Sequence, residues 1–360
     1  MNESISHFDH KKTINTALWV LVLLAFSLSR GGFVAAQDFG GIQSACLVVE
    51  GVLESTAFNE LSFAGMERAA EEFDLDMTYI ELLTQSDDYA DGISSCIADG
   101  YEAVITVGFL MTDATWAAAE ENPDVLFIGV DQYIEDGPAN YVGIQFREDE
   151  AGFLVGAMAA LMTETDMIAG VYAFDIPPIV RFRNGYEQGA RYINPQIEVL
   201  GVYIDSFIAP ERGEAAAQGF MEAGADVIFG AGGWTGFGAI LYAAEAGAWV
   251  IGVDDDQYIS LFDEGETPGA DRLITSAVKQ IDNGVYQLLE IAAGADESAW
   301  NGGEIYVLSV ANDGIGFAPA HDAAVPEEVT EQVNEILEGM REGDIETGVD
   351  PVTGELLEPA

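Results

Sequence analysis

The sequence predicts an α/β chain made of two doubly wound, mostly parallel sheets, arranged as two lobes on either side of a ligand cleft. Three observations predict it. Short apolar runs alternate with helical stretches from residue 45 onward. The alternation reads β-α-β-α-β-α-β plus one further strand, then starts again near residue 151. A chain of 360 residues is long enough for two such units, each with its own core.

In order, the apolar run at 45–49 reads as a strand. Residues 59–73 read as a helix with Leu61, Phe63, Ala64, Met66 and Ala69 along one side. Apolar runs at 77–82, 103–107, 125–130 and 141–144 give strands, with helices at 89–98 and 112–121 between them. The second unit opens on a small-residue helix at 151–161. Strands follow at 167–172, 197–204, 227–229 and 249–253, separated by helices at 178–192, 210–223 and 236–246. Pro210 suits a first helical turn, where its missing N–H is not needed. A strand at 273–276, a helix at 279–291, a strand at 305–310 and an amphipathic acidic helix at 326–340 follow. Residues 343–360 lack apolar periodicity and are expected to form a flexible tail.

Twelve Lys and Arg stand against 63 Asp and Glu, a formal net charge of −51. Such a field repels phosphate backbones and excludes nucleic acid as a partner. An acidic, solvated coat accounts for most of it. Lys11 and Lys12 precede an apolar run at 17–28, and Val34-Ala35-Ala36 supplies small residues for cleavage. Residues 1–36 therefore read as a secretory signal peptide, and the mature protein as secreted or periplasmic. An uncleaved segment kept as an N-terminal membrane anchor is the alternative. After cleavage one histidine remains, His321, and one lysine, Lys279. A His-rich zinc site cannot be built from that set, and no G-x-S-x-G elbow exists. No metal and no cofactor are expected. Cys46 and Cys96 form an even pair outside the cytoplasm, read as a disulfide or as two buried thiols.

Ligands of such sheets bind beyond the carboxyl ends of the strands, so residues that follow strands carry the information. The glycine-rich stretch 230–238, with Gly233, Trp234 and Phe237, lies between a strand and a helix. It reads as tight packing or as a loop whose backbone approaches a ligand. Asp254, Asp255 and Asp256 cluster at a strand end. They read as a solvated turn, as metal ligands, or as carboxylates accepting hydrogen bonds from vicinal hydroxyls. Lys279 begins a predicted helix, where a cation is unfavourable, so it is either a chance survivor or has a compensating partner. Phe58 and Asn59 fit a staple and cap of the first helix, or a stack and a hydrogen bond on a planar base.

Several motifs in order then resemble the basic membrane protein family. They are Phe58-Asn59-Glu60, Ile176-Pro177-Pro178-Ile179-Val180-Arg181-Phe182-Arg183-Asn184-Gly185-Tyr186, Asp205-Ser206-Phe207, Gly252-Val253-Asp254-Asp255-Asp256-Gln257 and Thr275-Ser276-Ala277-Val278-Lys279. These proteins are extracytoplasmic solute-binding proteins of ABC transporters, and the type resembled is the purine nucleoside receptor. The resemblance implies a type I periplasmic-binding-protein fold, with two lobes and three crossovers closing on a nucleoside. It implies a base between Phe58 and Phe207, with Asn59 on the base edge. Gly233 and Trp234 of the glycine-rich stretch, Asp254 or Asp256, and Lys279 would hold the ribose, with Asp131 at the matching strand end of the first lobe. It implies a first lobe of 41–147 plus about 270–302, a second of 148–269 plus about 303–342, and hinges near Phe146, 256–269 and Gly302. The run Glu54-Ser55-Thr56-Ala57-Phe58 departs from the family, whose members carry acidic residues and a lysine there, and the family's lipoprotein anchor is absent.

The reading that follows is a monomeric, non-enzymatic receptor that captures a nucleoside and delivers it to an ABC permease with its ATPase. The alternatives are a nucleoside hydrolase using the carboxylate cluster with a metal, and a sensor not coupled to transport. Lys279 serves the ligand in this reading, so Lys279→Met is expected to weaken binding and to leave the unliganded fold nearly intact.

Overall fold

The computed structural model describes residues 41–82, 89–294 and 299–358, so the expected signal peptide lies outside the described residues. The first sheet contains β1 (Ser44–Glu50), β2 (Asp76–Leu82), β3 (Ala103–Val107), β4 (Leu126–Val130), β5 (Tyr141–Phe146) and β11 (Ile305–Leu308). All are parallel, in the order β11-β5-β4-β3-β1-β2. The second contains β6 (Met167–Tyr172), β7 (Glu198–Tyr203), β8 (Val227–Ala231), β9 (Trp249–Asp254), β10 (Leu273–Lys279) and β12 (Ile315–Phe317). Its order is β12-β10-β9-β8-β6-β7, and β12 runs antiparallel to β10.

In β1, Ala45, Leu47 and Val49 join the core layer under α1 (Ala57–Phe73) and α9 (Ile281–Ala292). Cys46 and Val48 join the opposite layer under α2 (Tyr89–Ala98) and α3 (Thr112–Glu121). Successive side chains point to opposite faces, and both faces are covered, so the run has no place for a polar residue. Cys46 and Cys96 of α2 meet in that second layer as a disulfide, their Cα atoms 5.8 Å apart.

Two strands join the sheets opposite to those expected. Of residues 270–302, assigned above to the first lobe, β10 lies in the second sheet. Of residues 303–342, assigned to the second lobe, β11 lies in the first sheet. Helix α9 does pack on α1, with the Arg68 guanidinium 3.9 Å from the Tyr286 ring centroid. The chain therefore crosses between lobes at 146–148, 279–281 and 308–315, and not at 256–269 or Gly302. Local apolarity marks a strand but says nothing about which sheet edge receives it.

Helices α4 (Glu148–Met162) and α5 (Pro177–Ile193) pack backbone against backbone. A Cβ on Gly156 would overlap the Tyr186 carbonyl, and one on Gly189 would overlap the Phe153 carbonyl. This closeness brings the first residue of α4, Glu148, alongside Arg181 of α5. The expected flexible tail is also corrected. Beyond α10 (Glu327–Arg341), Val349 pairs with Leu356, and Thr347 and Val349 are buried against the molecule. Its partners are polar side chains and carbonyls, which an apolar periodicity does not register.

Gly189→Ala is expected to destabilise the protein by about 1–3 kcal/mol, because the inserted methyl forces the two helices apart. Gly219→Ala, with no atom within 4 Å of the new methyl, is the control and should leave stability unchanged or slightly raised. Urea unfolding of both variants measures the difference.

Candidate functional site

The two sheets end alike. Gly129-Val130-Asp131 finishes β4, and Gly252-Val253-Asp254 finishes β9. Asp131 (φ 57°) and Asp254 (φ 72°) both take the left-handed backbone that Asp tolerates better than most residues. Both line a cavity of about 420 Å³ between the lobes.

Lys279 is the last residue of β10, not the first of a helix, so the helix-dipole objection to it disappears. Its ammonium donates to Asp131 Oδ1 at 2.7 Å and Oδ2 at 2.9 Å, and to Glu148 Oε1 at 2.9 Å. Glu148 Oε2 accepts from Arg181 Nε at 2.5 Å. The rings of Phe146 and Phe58 lie 4.4 and 5.1 Å from the ammonium. Burial works against the Lys279 charge, but Asp131, Glu148 and Asp254 outweigh it and hold its pKa above the ordinary lysine value. Burial likewise opposes ionised Glu148, and Arg181 and Lys279 outweigh it and hold the carboxyl low. Burial pushes Asp131 up to about 7 against the pull of Lys279, with Glu148 adding to the rise.

The aspartate cluster divides. Burial raises Asp254 to about 6, and it faces the cavity. Asp256 does not line the cavity. It caps α8 (Gln257–Ser260) by accepting from the Tyr258 N–H and pairs with His321 Nε2 at 2.6 Å. Among the described residues no three His, Cys, Asp or Glu gather as metal ligands.

Phe58, Asn59, Phe207, Gly233 and Trp234 all line the same cavity. Thr56, rather than Asn59, caps α1. Asn59 Nδ2 donates to the Glu50 and Val52 carbonyls at 2.9 and 3.3 Å, which engages both amide hydrogens and leaves Oδ1 as the acceptor end of the amide. Phe207 is set by α7 (Gly233–Glu245). The Thr235 N–H donates to the Phe207 carbonyl at 3.2 Å, and the Thr235 hydroxyl to the Ser206 carbonyl at 2.6 Å. Residues 233–238 are thus the first turns of a helix and not a free loop. A Cβ on Gly233 would stand 3.0 Å from the Phe207 carbonyl, so this glycine admits the Phe207 loop. Trp234 is 42% exposed at the rim. Sequence reasoning missed Glu148, Arg181 and Phe146. The signal for Arg181 is a cation between Val180 and Phe182 in a chain with few cations.

The chain matches the family model described as Bmp, ABC transporter substrate-binding protein PnrA-like, over residues 42–345. It is 31% identical over 258 residues to basic membrane protein A1 of Borrelia garinii subsp. bavariensis, covering 69% of this chain and 73% of that protein. It is 29% identical over 301 residues to basic membrane protein A of Borreliella afzelii, covering 82% and 88%. A solved ABC transporter system solute-binding protein from Aeropyrum pernix K1 shares the fold, with a TM-score of 0.72 at 23% identity over 84% of this chain and 92% of that one. The chain belongs to this family of extracytoplasmic ABC transporter substrate-binding proteins, with the type I periplasmic-binding-protein fold, and is not an enzyme. Among the described residues no helix is long and apolar enough to cross a membrane.

The geometry reverses the expectation that the fold tolerates loss of Lys279. Lys279→Met leaves Glu148 its Arg181 but leaves Asp131 without its cation. The unliganded protein should lose about 3–5 kcal/mol, the scale of breaking a buried ion pair. Asp131→Asn in the Met variant should restore most of it. Burial raises Asp131 to about 7 even with Lys279 pulling it down, and without that ammonium it moves higher still, so its ionisation opposes folding and the loss should shrink as pH falls toward that value. Denaturant unfolding at two pH values decides it.

Proposed function

We propose, with membership of this family as the premise, that the cleft takes a neutral purine nucleoside and that the protein presents it to an ABC permease and its ATPase. The observation that carries this reading is one cavity whose aromatic lining includes Phe58 and Phe207, from opposite lobes, together with Asn59 and Asp254. A base stacked on an aromatic ring gains about 1–3 kcal/mol. Asn59 offers only its carbonyl oxygen, so it selects a base edge that presents an N–H, as the purine edges do. Asp254 accepts from vicinal ribose hydroxyls. Lys279 contributes by holding Asp131 in place, since its protons are engaged within the protein.

Charge narrows the ligand further. Glu50, Asp131 and Asp254 line the cavity against one ammonium, and among the described residues no arginine lines it. A phosphate entering that cleft meets carboxylates and no free cation, which favours the nucleoside over its nucleotide.

Inosine, guanosine or adenosine is expected to raise the melting temperature, by mass action on the folded state, and their 5′-monophosphates are not. A shift with pentoses or amino acids and with no nucleoside would overturn the ligand.

Affinity should also fall about tenfold per pH unit below about 6, where Asp254 takes up its proton, and Asp254→Asn should flatten that slope. In the unliganded protein the same group has the opposite sign. Folding retains its proton between 3.8 and about 6, so its contribution to stability falls as pH rises through that window. Calorimetric titration across pH 5–8 reads the first effect and unfolding without ligand the second.

A further inference from the structure

Residues 346–358 lie beyond the family match, which ends at residue 345, and the binding reading makes no use of them. They fold on themselves. Leu357 N donates to the Gly348 carbonyl at 2.9 Å, and Asp350 N to the Glu355 carbonyl at 2.8 Å. Asp350 Oδ1 accepts from the N–H groups of Val352 and Thr353 at 2.9 and 2.8 Å. The tip of this turn is then gripped from both lobes. Gln145 of β5, in the first sheet, donates to the Pro351 carbonyl. Arg181 and Asn184 of α5, in the second lobe, donate to the Val352 and Gly354 carbonyls at 2.8 and 2.6 Å. Gly354 has φ 81°, and a Cβ there would stand 2.7 Å from the Arg181 backbone nitrogen.

The location matters as much as the contacts. Gln145 adjoins the first crossover between the lobes. Arg181 is the outer member of the charge chain that ends on Asp131: its Nε holds Glu148 and its Nη1 holds the Val352 carbonyl. A guanidinium fixed at two points keeps its plane, and one fixed at a single point swivels. Val352 and Thr353 also wall a second cavity of about 130 Å³, which shares Phe109, Asp131 and Pro178 with the ligand cleft.

We propose that residues 346–358 are a strap that clasps the first crossover and, through Arg181, holds Glu148 and Lys279 in register for the ligand. Arg181 is a positioning residue of the site. The proposal rests on the nucleoside reading only for the choice of ligand.

The test compares the full chain, a chain ending at residue 345, Arg181→Gln, and the two changes combined. Nucleoside affinity should fall about tenfold on truncation and at least as much for Arg181→Gln. The combination should lie within about threefold of the worse single change, because both act through one side chain. Multiplying losses, or a truncated chain that binds as the full chain does, would overturn the proposal. Spin labels at Glu120→Cys in α3 and Gln218→Cys in α6 (Pro210–Ala223) report the distance between lobes without ligand. That distribution should broaden on truncation, and an unchanged distribution counts against the strap even if the nucleoside reading itself fails. Should the truncated chain not fold, Gly354→Val displaces the turn from Arg181 by sterics alone and takes its place in every comparison.

Discussion

Lys279 Nζ sits between Asp131 and Glu148, and Glu148 is held in turn by Arg181, so two cations and two anions lie buried side by side. Each charge alone would cost several kcal/mol to bury. As an alternating set they are neutral and hydrogen-bonded, and the cost is offset only when all four are present. They come from the residue after β4 and from β10, α4 and α5, which span both lobes. The set therefore forms only when both lobes are folded and correctly joined. In a chain with 63 acidic residues the scarce partner is the cation, and the single lysine beyond residue 36 is placed here.

The start of α4 extends this logic to the other crossovers. Its first turn carries Glu148, Asp149 and Glu150, all buried, at the end of the helix where the macrodipole favours negative charge. Glu148 reaches Lys279 at the second crossover. Glu150 accepts from the Val310 N–H, at 2.8 Å, in the third. Asp149 takes Arg147, the residue before the helix, through paired bonds of 2.8 Å. One helix end thus ties together the three places where the chain passes between lobes. The glycine contact of α4 with α5 then sets the distance from Glu148 to Arg181.

Most elements were legible in the sequence because burial on both faces writes a plain apolar run, and α2, α3, β3 and β6 fall at the bounds expected. The features that escaped share a cause: they depend on partners far along the chain. β11 enters the first sheet by pairing with β5, where Ile305 lies opposite Gly143, a strand far back along the chain. Lys279 was legible as a residue with a purpose, from its rarity alone, but its partners were not. Glu148 is one acid among 63, and nothing local separates it from a solvated one. Asp256 looked equivalent to Asp254 in sequence. A single turn of backbone sends one into the cleft and the other to His321.

The repeated Gly-Val-Asp ends of β4 and β9 make the lobes alike, and Lys279 makes them different. With one ammonium and two left-handed aspartates at the cleft, only one aspartate can be neutralised by direct contact, and Asp131 is the one bonded. Asp254 stays close enough for the ammonium to lower its pKa, yet burial still raises it to about 6. It is the carboxylate whose hydrogen-bonding capacity is not already taken by a cation. A symmetric cleft would have two competing carboxylates and no defined end. Occupying one of them leaves the second lobe's aspartate as the one not bonded to the ammonium. The similarity of the lobes supplies the cleft, and the difference between them gives it polarity.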